Sequence, residues 1–243
     1  MTETPDAAGG PLPGVFVAFE GGDGAGKSTQ ARALAEALRA SGREVVLTRE
    51  PGGTPAAEAI RDVVLDPAHT GLDPRAEALL FAASRGEHVA RLVRPALQRG
   101  AVVITDRYLD SSIAYQGVAR GLGLEVVEEL NLWATRDLLP DLTVVLDVDA
   151  GHGLARVTDP NRLEDEPESF HAVVVQAFRD LAARDPQRYL VIPASGDRDA
   201  IAAQVLARVD QLLDRAPTAQ TDPVAVSSAA APPHDQSEPG AAT

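Results

Sequence analysis

Short apolar runs alternate with longer amphipathic stretches along most of this chain. The apolar runs are rich in β-branched residues and lie at 15–20, 44–48, 101–105, 142–147 and 188–192. Such runs are typical of strands buried on both faces of a parallel sheet. The stretches around them follow a helical period, at 27–40, 54–65, 73–99, 108–119, 123–136, 149–157, 166–184 and 197–214. The pattern therefore predicts an α/β fold of three layers, with a five-stranded parallel sheet flanked by helices.

The two ends of the chain lack this periodicity. Residues 1–13 are small, polar and proline-containing, and residues 216–243 are mostly Pro, Ala, Ser, Thr, Asp and Gln. Segments of this composition bury too little apolar surface to offset the entropy of ordering. We predict one domain over residues 14–215, with a flexible lead-in at 1–13 and a disordered acidic tail at 216–243.

Composition narrows the class of protein. The 243 residues are 44% hydrophobic, contain no cysteine and carry a formal net charge of −14. The absence of cysteine excludes disulfides and thiolate metal sites. The acidic balance argues against a general nucleic-acid or membrane-surface binder, and no apolar run reaches the roughly 20 residues of a membrane span. We predict a cytoplasmic protein.

A glycine-rich loop follows the first predicted strand and leads into a helical pattern. Its sequence fits G-x-x-x-x-G-K-[ST], a phosphate-binding loop (P-loop) whose backbone N–H groups surround an anion. Lys27 would contact the β- and γ-phosphates, and Ser28 would ligate Mg²⁺. Lys27 is also the only lysine among 22 basic residues. The predicted ATP-binding residues are Gly21, Gly22, Asp23, Gly24, Ala25, Gly26, Lys27, Ser28 and Thr29.

Three further polar motifs follow predicted elements. Arg49 ends the second strand in T-R-E-P-G-G-T, and the third strand runs into D-R-Y-L-D-S-S-I-A-Y-Q-G. Asp106 there resembles the acidic residue that holds Mg²⁺ in P-loop enzymes, and Arg107 is a second candidate phosphate ligand. Phe81 and Arg85 are four residues apart and share a helical face, so they could stack a base and bond its edge. Each motif, taken alone, also fits an ordinary core or surface role.

A polar segment broken by Pro160 lies between two predicted helices at about 156–166. It suits a mobile lid over bound phosphates, although an ordinary helix–helix connection fits equally well.

These blocks together resemble the thymidylate kinase family over residues 15 to about 214. F-E-G-x-D-G-A-G-K-S-T, T-R-E-P-G-G-T, L-F-A-A-S-R-x-E-H and D-R-Y-x-x-S-S-x-A-Y-Q-G occur in the order and spacing of that family. The resemblance implies phosphorylation of dTMP to dTDP by ATP with Mg²⁺, a P-loop nucleoside-monophosphate kinase fold, and a homodimer.

The resemblance also implies roles for matching residues. Asp23 is expected near the sugar 3′-hydroxyl and the metal, and Arg49 and Arg107 on the monophosphate. Phe81 is expected to stack on thymine and Arg85 to bond its edge, with Ser112 nearby. The remaining implied dTMP contacts are Pro51 near the 5-methyl group, Tyr115 near the sugar, and Gln116; the implied metal ligands are Ser28, Asp106 and Asp23.

The lid departs from the usual family pattern, because it is shorter and less basic, and Asn161 stands where an Asp is common. Gly24 and Ala25 offer no charge inside the P-loop. The resemblance then implies that a catalytic arginine comes from the lid, with Arg162 preferred and Arg156 in support. Lys27 and Arg107 complete the predicted catalytic set.

Two alternatives remain open from the sequence. One is a kinase of the same fold that acts on another deoxynucleotide or nucleoside. The other is a nucleotide-binding regulatory protein that has lost turnover. A switch GTPase is disfavoured because no N-K-x-D-like guanine motif is present.

Overall fold

A computed structural model describes residues 12–155 and 161–214 of the chain. Five parallel strands form one sheet in the order β2-β3-β1-β4-β5. They are β1 (Val15–Glu20), β2 (Val45–Arg49), β3 (Val102–Asp106), β4 (Leu142–Asp147) and β5 (Tyr189–Pro193). The predicted α/β fold with a five-stranded parallel sheet is confirmed, and each strand bound differs from its prediction by at most one residue.

Helices cover both faces of this sheet. They are α1 (Lys27–Ala40), α2 (Pro55–Leu65), α3 (Pro74–His88), α4 (Arg94–Gln98), α5 (Leu109–Ser112), α6 (Leu124–Thr135), α7 (Ala150–Leu154), α8 (Glu168–Arg184) and α9 (Arg198–Leu213). A short 3₁₀ turn, Pro67–His69, follows α2. Several helices begin where the sequence supplies a cap. Thr54 accepts a hydrogen bond from the Ala57 N–H at the start of α2, and Asp73 caps α3.

Two of the predicted helices contain π-helical segments. The predicted helix 73–99 consists of α3, a π segment at Val89–Val93, and α4. This segment ends two residues before Pro95, which lacks the N–H that a regular helix would use. The predicted helix 108–119 starts as α5 and continues as a π segment, Ile113–Ala119, which carries Tyr115 and Gln116. Such segments occur frequently at functional sites.

Buried apolar side chains form one layer on each face of the sheet. The first layer includes Phe16, Tyr108, Ile113 and Phe178, and packs the sheet against α4, α5 and α8. The second packs the sheet against α1 and α9. Because both faces are covered, the open edge for ligands lies at the carboxyl ends of the strands.

Within the described residues, no helix combines the length and apolar character needed to cross a membrane.

Candidate active site

The P-loop connects the end of β1 to the start of α1. Gly21 and Gly24 have φ values of +129° and +70°. A Cβ at Gly21 would lie 2.3 Å from the Leu146 carbonyl oxygen, and one at Gly24 would lie 1.9 Å from the Gly153 carbonyl oxygen. Glycine is therefore required at both positions, for backbone conformation and for space. The close approach at Gly24 also seats α7 directly on the loop.

Lys27 is buried at the first turn of α1. Its Nζ donates hydrogen bonds to the carbonyl oxygens of Gly22 and Gly21, at 2.7 and 3.1 Å. Burial and the neighbouring Arg107 cation lower the pKa of Lys27 to about 8, against the opposing effect of Asp23, Asp106 and Glu20. The Lys27 ammonium group is thus hydrogen-bonded to two neutral carbonyl oxygens, which are weaker partners than an anion.

Ser28 and Asp106 bring two oxygen ligands together across the strand ends. The Ser28 hydroxyl donates a hydrogen bond to Asp106 Oδ2, and Asp106 closes β3 beside β1. Hard oxygen donors of this kind suit Mg²⁺, which usually takes one or two protein ligands together with waters and substrate phosphates. The pair therefore fits a magnesium site that the donor phosphates would complete.

Arg107 lies at the centre of the polar contacts of the site. Its backbone has φ of +71°, a conformation that is uncommon for a non-glycine residue and that turns the side chain toward the P-loop. The guanidinium donates to an Asp23 carboxylate oxygen, to Ser111 Oγ at 3.1 Å and to the Gly21 carbonyl at 3.3 Å. It also lies 5.3 Å from the centre of the Tyr115 ring. These contacts hold the Arg107 guanidinium in one orientation.

The Asp23 carboxylate is ionised and fully engaged. Burial alone would raise its pKa, but Arg107, Lys27 and a 2.6 Å hydrogen bond from the Tyr115 hydroxyl lower it overall. His171 Nδ1 lies 3.6 Å from the same carboxylate oxygen that Tyr115 contacts. Asp23 is thus oriented by groups from three separate elements.

Glu20 supports Arg107 from beneath. Its buried carboxylate accepts hydrogen bonds from the N–H groups of Tyr108 and Ser111, at 2.7 and 3.1 Å, and from Ser111 Oγ at 2.6 Å. Burial, with the Asp110 carboxylate nearby, raises the pKa of Glu20 to about 7. This carboxylate fixes the turn that carries Arg107.

The opposite side of the site is an apolar wall beside a buried arginine. Phe81 packs with Val64 and Leu163. One turn further along α3, the Arg85 guanidinium is 2% exposed and donates to Glu50 Oε2 at 2.7 Å. It also donates to Ser112, Asn131 and the Tyr108 carbonyl. Four of its five N–H groups are thereby used, which leaves one for a ligand.

Two further arginines, Arg49 and Arg61, line the same side of the molecule's phosphate-binding region. Arg49 is half-exposed at the end of β2 and pairs with Glu58 at 2.9 Å. Arg61, on α2, donates to the Pro51 carbonyl at 2.9 Å. The Glu50–Pro51 peptide bond between them is cis.

Most of these groups line one cavity of about 430 Å³, a size typical of small-ligand sites. Most of the residues predicted from the sequence line it: Asp23, Gly24, Gly26, Lys27, Ser28, Thr29, Arg49, Pro51, Phe81, Arg85, Asp106, Arg107, Ser112, Tyr115 and Gln116. Gly21, Gly22 and Ala25 lie behind this surface in the P-loop.

The lid arginines are a different case. Arg162 does not line the cavity; its guanidinium donates to Glu77 Oε2 at 2.6 Å and to the Val64 carbonyl at 2.7 Å. Its neighbours Asn161, Leu163 and Glu164 line the cavity instead. The sequence predicted a catalytic role for Arg162 among the reacting phosphates. Here a buried carboxylate 85 residues away binds its guanidinium, and the catalytic role stays a prediction. Arg156 lies outside the described residues.

Sequence reasoning missed several residues that shape the site. Glu20, Glu50 and Ser111 position arginines, Arg61 lines the cavity, and His171 lies against Asp23. Glu20 and Glu50 had a detectable signal, since each is a charged residue at the end of an apolar strand. Arg61 and His171 sit in ordinary amphipathic helices, where nothing local distinguishes them from surface or core residues.

Comparison with known proteins agrees with this geometry. A sequence model described as thymidylate kinase matches residues 19–205. The chain is 52% identical over 206 residues to a thymidylate kinase of Clavibacter sepedonicus, covering 83% of this chain and 97% of the relative. It is 54% identical over 202 residues to one of Leifsonia xyli subsp. xyli, covering 82% and 95%.

Solved structures give the same result. The chain resembles a crystal structure of thymidylate kinase from Ehrlichia chaffeensis with a TM-score of 0.69 and 34% identity, covering 81% of this chain and 98% of that one. With the phosphate loop, the paired arginines and the aromatic wall in one cavity, these matches show that the chain belongs to the thymidylate kinase family, whose members phosphorylate dTMP to dTDP.

Proposed function

We propose that dTMP phosphorylation by this chain takes place in the 430 Å³ cavity, with ATP on the P-loop and dTMP against the wall of Phe81. The observation that carries the proposal is the convergence of three cations from three strand ends. Lys27 follows β1, Arg49 ends β2 and Arg107 follows β3, and all three line one cavity. An acidic chain that concentrates cations in this way is built for two phosphate-bearing substrates.

The contacts that these cations make within the protein indicate how they would act. Lys27 is bonded to two carbonyl oxygens, and Arg107 to Asp23. Phosphate oxygens form stronger, charge-assisted hydrogen bonds, so substrates can exchange with these internal partners. Transfer between two anions needs mainly positioning and charge neutralisation. Lys27 would neutralise the transferred group, and Arg49 and Arg107 would hold the acceptor phosphate.

The acceptor base would lie between Phe81 and the polar groups of the π segment. Phe81 and Leu163 supply an apolar surface for stacking, and the remaining N–H of Arg85 supplies a donor for the base edge. Ser112 and Gln116 are buried alongside, and Pro51 lines the same cavity. Tyr115, bonded to Asp23, lies where the sugar would pass, and Asp23 would receive the 3′-hydroxyl.

Mg²⁺ would be held by Ser28 and Asp106, and when bound it supplies positive charge to the donor phosphates. Asp23 is a weaker candidate ligand, because Arg107 and Tyr115 already engage both of its oxygens.

A steady-state assay with a panel of nucleoside monophosphates tests the proposal. The substrates are dTMP, dUMP, dCMP, dAMP and dGMP, each with ATP and Mg²⁺, and ADP release is measured. We expect dTMP to give the highest kcat/KM. Lys27→Ala should lower kcat by about 10³-fold or more while the thermal unfolding transition stays intact. Near-normal turnover in this folded variant, or a preference for another base, would refute the assignment.

We also infer that the chain forms a homodimer in the cytoplasm. Leu79, Val126 and Trp133 are 58, 64 and 81% exposed. They lie on α3 and α6, which pack closely where Gly86 meets Ala134. Exposed apolar side chains grouped on one helix pair are typical of an interaction surface. The cytoplasmic assignment is supported by the cysteine-free sequence.

A further inference from the structure

A fully buried carboxylate outside the predicted catalytic set joins three parts of the acceptor side. Glu77, in the first turn of α3, has no exposed surface. It accepts hydrogen bonds from Arg162 at 2.6 Å, from Gln116 at 2.8 Å, and from Arg120 at 3.3 and 3.4 Å. Arg120 in turn pairs with Glu166 at 2.6 Å. Glu77 therefore bonds the π segment through Gln116 and one end of the turn 161–166 through Arg162, and Arg120 links it to the other end at Glu166.

The Arg162 contact determines which way the turn faces. Arg162 is 7% exposed and points to Glu77 and the Val64 carbonyl. Because Arg162 points away from the cavity, Asn161 and Leu163 on either side of it line the cavity. Leu163 then packs directly against Phe81 and Val64. Glu77 and Phe81 are one helical turn apart on α3, so the ion pair lies beside the apolar wall.

The Gln116 contact fixes the orientation of a cavity-lining amide. Gln116 Nε2 donates to Glu77, and the side chain is buried. With the NH₂ group committed to a carboxylate, the amide oxygen is left as the acceptor that Gln116 can offer to a ligand. A residue at position 77 that could not accept this hydrogen bond would leave the Gln116 amide free to rotate by 180°.

We propose that Glu77 is a positioning residue for the acceptor nucleotide: its carboxylate holds Arg162 and Gln116, and so keeps the turn 161–166 and the amide in place against Phe81. This inference rests on the proposed placement of dTMP at this wall. It assigns Arg162 to the support of the pocket rather than to direct contact with the transferred phosphoryl group.

The two roles of Arg162 predict different kinetics. A positioning pair acts as one unit, so loss of either partner disturbs the same geometry, and loss of both adds little. If Arg162 instead contacts the transition state, its removal lowers kcat alone, and the removal of Glu77 does not have the same effect.

The first experiment measures kcat and both KM values for Glu77→Gln, Arg162→Met and the double variant. We expect each single variant to raise the KM for dTMP by about tenfold or more and to lower kcat, with a KM for ATP changed less than about threefold. The double variant should be no worse than the poorer single variant. The double variant removes both charges together. It therefore still tests the proposal if an unpaired buried charge prevents one of the single variants from folding.

The matched control is Glu87→Gln with Arg91→Met, an exposed ion pair beginning on the same helix. It should leave all three kinetic constants unchanged. The proposal is overturned if Arg162→Met lowers kcat by about 10³-fold at constant dTMP KM while Glu77→Gln is normal. It is equally overturned if both singles fold and keep wild-type KM for dTMP.

A second experiment needs no turnover. Trypsin cleaves after arginine, and the buried Arg162 side chain should be protected in the wild-type protein. In Glu77→Gln we expect cleavage between Arg162 and Leu163 to accelerate by about tenfold or more well below the unfolding transition, whereas Glu87→Gln should match wild type. Equal cleavage in all three proteins would refute the anchoring role. Failure of wild type to phosphorylate dTMP would instead refute the proposed function and leave this result standing.

Discussion

At the scale of single residues, the site and its supporting turn combine arginines with buried acids that hold their guanidinium groups in place. Arg107 has Asp23 on one side and, through Ser111, Glu20 beneath it. Arg85 has Glu50, and Arg162 has Glu77. Buried charges persist when they are paired and hydrogen-bonded, and each pair also restricts the guanidinium to one orientation. Preorganisation of this kind lowers the cost of binding phosphates and bases.

Because we place the thymine base against the apolar wall at Phe81, we predict a specific effect of Phe81→Ala. Stacking of a base on an aromatic ring contributes roughly 1–3 kcal/mol in nucleic-acid sites. The KM for dTMP should therefore rise by about one to two decades, with the KM for ATP little changed. Phe81→Leu, which keeps apolar volume without a ring, is the control and should lose less. A larger effect on ATP than on dTMP would show that the two pockets are reversed.

The environment of Glu20 leads to a prediction about pH. Its pKa is about 7 in the folded protein against 4.5 as the ordinary value. The folded state therefore binds the proton more tightly than the unfolded state, so stability falls as pH rises from about 4.5 to 7 and then levels off. Glu20→Gln keeps the acceptor oxygen for Tyr108 and Ser111 but cannot ionise.

Unfolding free energies at pH 5.5 and 8 provide the measurement. The unfolding free energy of wild type should fall by about 2 kcal/mol more than that of Glu20→Gln between pH 5.5 and 8. Asp110, whose pKa burial also raises, lies near Glu20 and is present in both proteins, so the difference reports Glu20 together with its interaction with Asp110. Identical pH profiles would mean that Glu20 is ionised in the folded protein throughout.

At the scale of elements, backbone contacts join the P-loop to α7. The added Cβ at Gly24 would meet the Gly153 carbonyl, and one at Gly153 would lie 2.2 Å from the Asp23 carbonyl oxygen. This packing explains why no side chain, and therefore no arginine, occupies position 24. Helix α7, which precedes the predicted lid, thus packs directly against the P-loop.

Gly24→Ala should be more damaging than conformational strain alone would explain. We expect the KM for ATP to rise by at least about tenfold, because the loop or α7 must move. The matched control is Gly42→Ala, which has a similar φ of +84° but nothing within 4 Å of the added Cβ. Thermal unfolding of both variants separates the shared cost of positive φ from the clash. Equal behaviour of the two variants would rule out a role for the contact with α7.

At the scale of the whole molecule, the exposed side chains of α3 and α6 form the apolar surface that we assign to self-association. Val126 and Trp133 are seven residues apart and share one face of α6. Trp133→Glu should convert the protein to a monomer at about 10 µM in sedimentation velocity, since a charge at the centre of an interface is strongly unfavourable. Val173→Glu, on α8, alters an exposed apolar residue elsewhere and should leave the dimer intact. A dimeric Trp133→Glu protein would place the interface on another surface.

The sequence by itself determined the elements and much of the ligand chemistry. Strand runs, helical periods and the glycines of the P-loop are local features, readable along the chain. Because parallel strands end at one edge of a sheet, motifs after β1, β2 and β3 had to converge, and Lys27, Arg49, Asp106 and Arg107 do so. Phe81 and Arg85 followed from their spacing on one helix.

The tertiary structure decided which charged side chains pair with each other. Glu77 and Arg162 are 85 residues apart, and Arg107 and Asp23 are 84 apart. No local pattern encodes such partners, because the energy that selects them arises only when packing excludes water from both groups. For the same reason the direction of Arg162 could not be read from its motif. The chain supplies the arginine, and a buried carboxylate on another helix decides where it points.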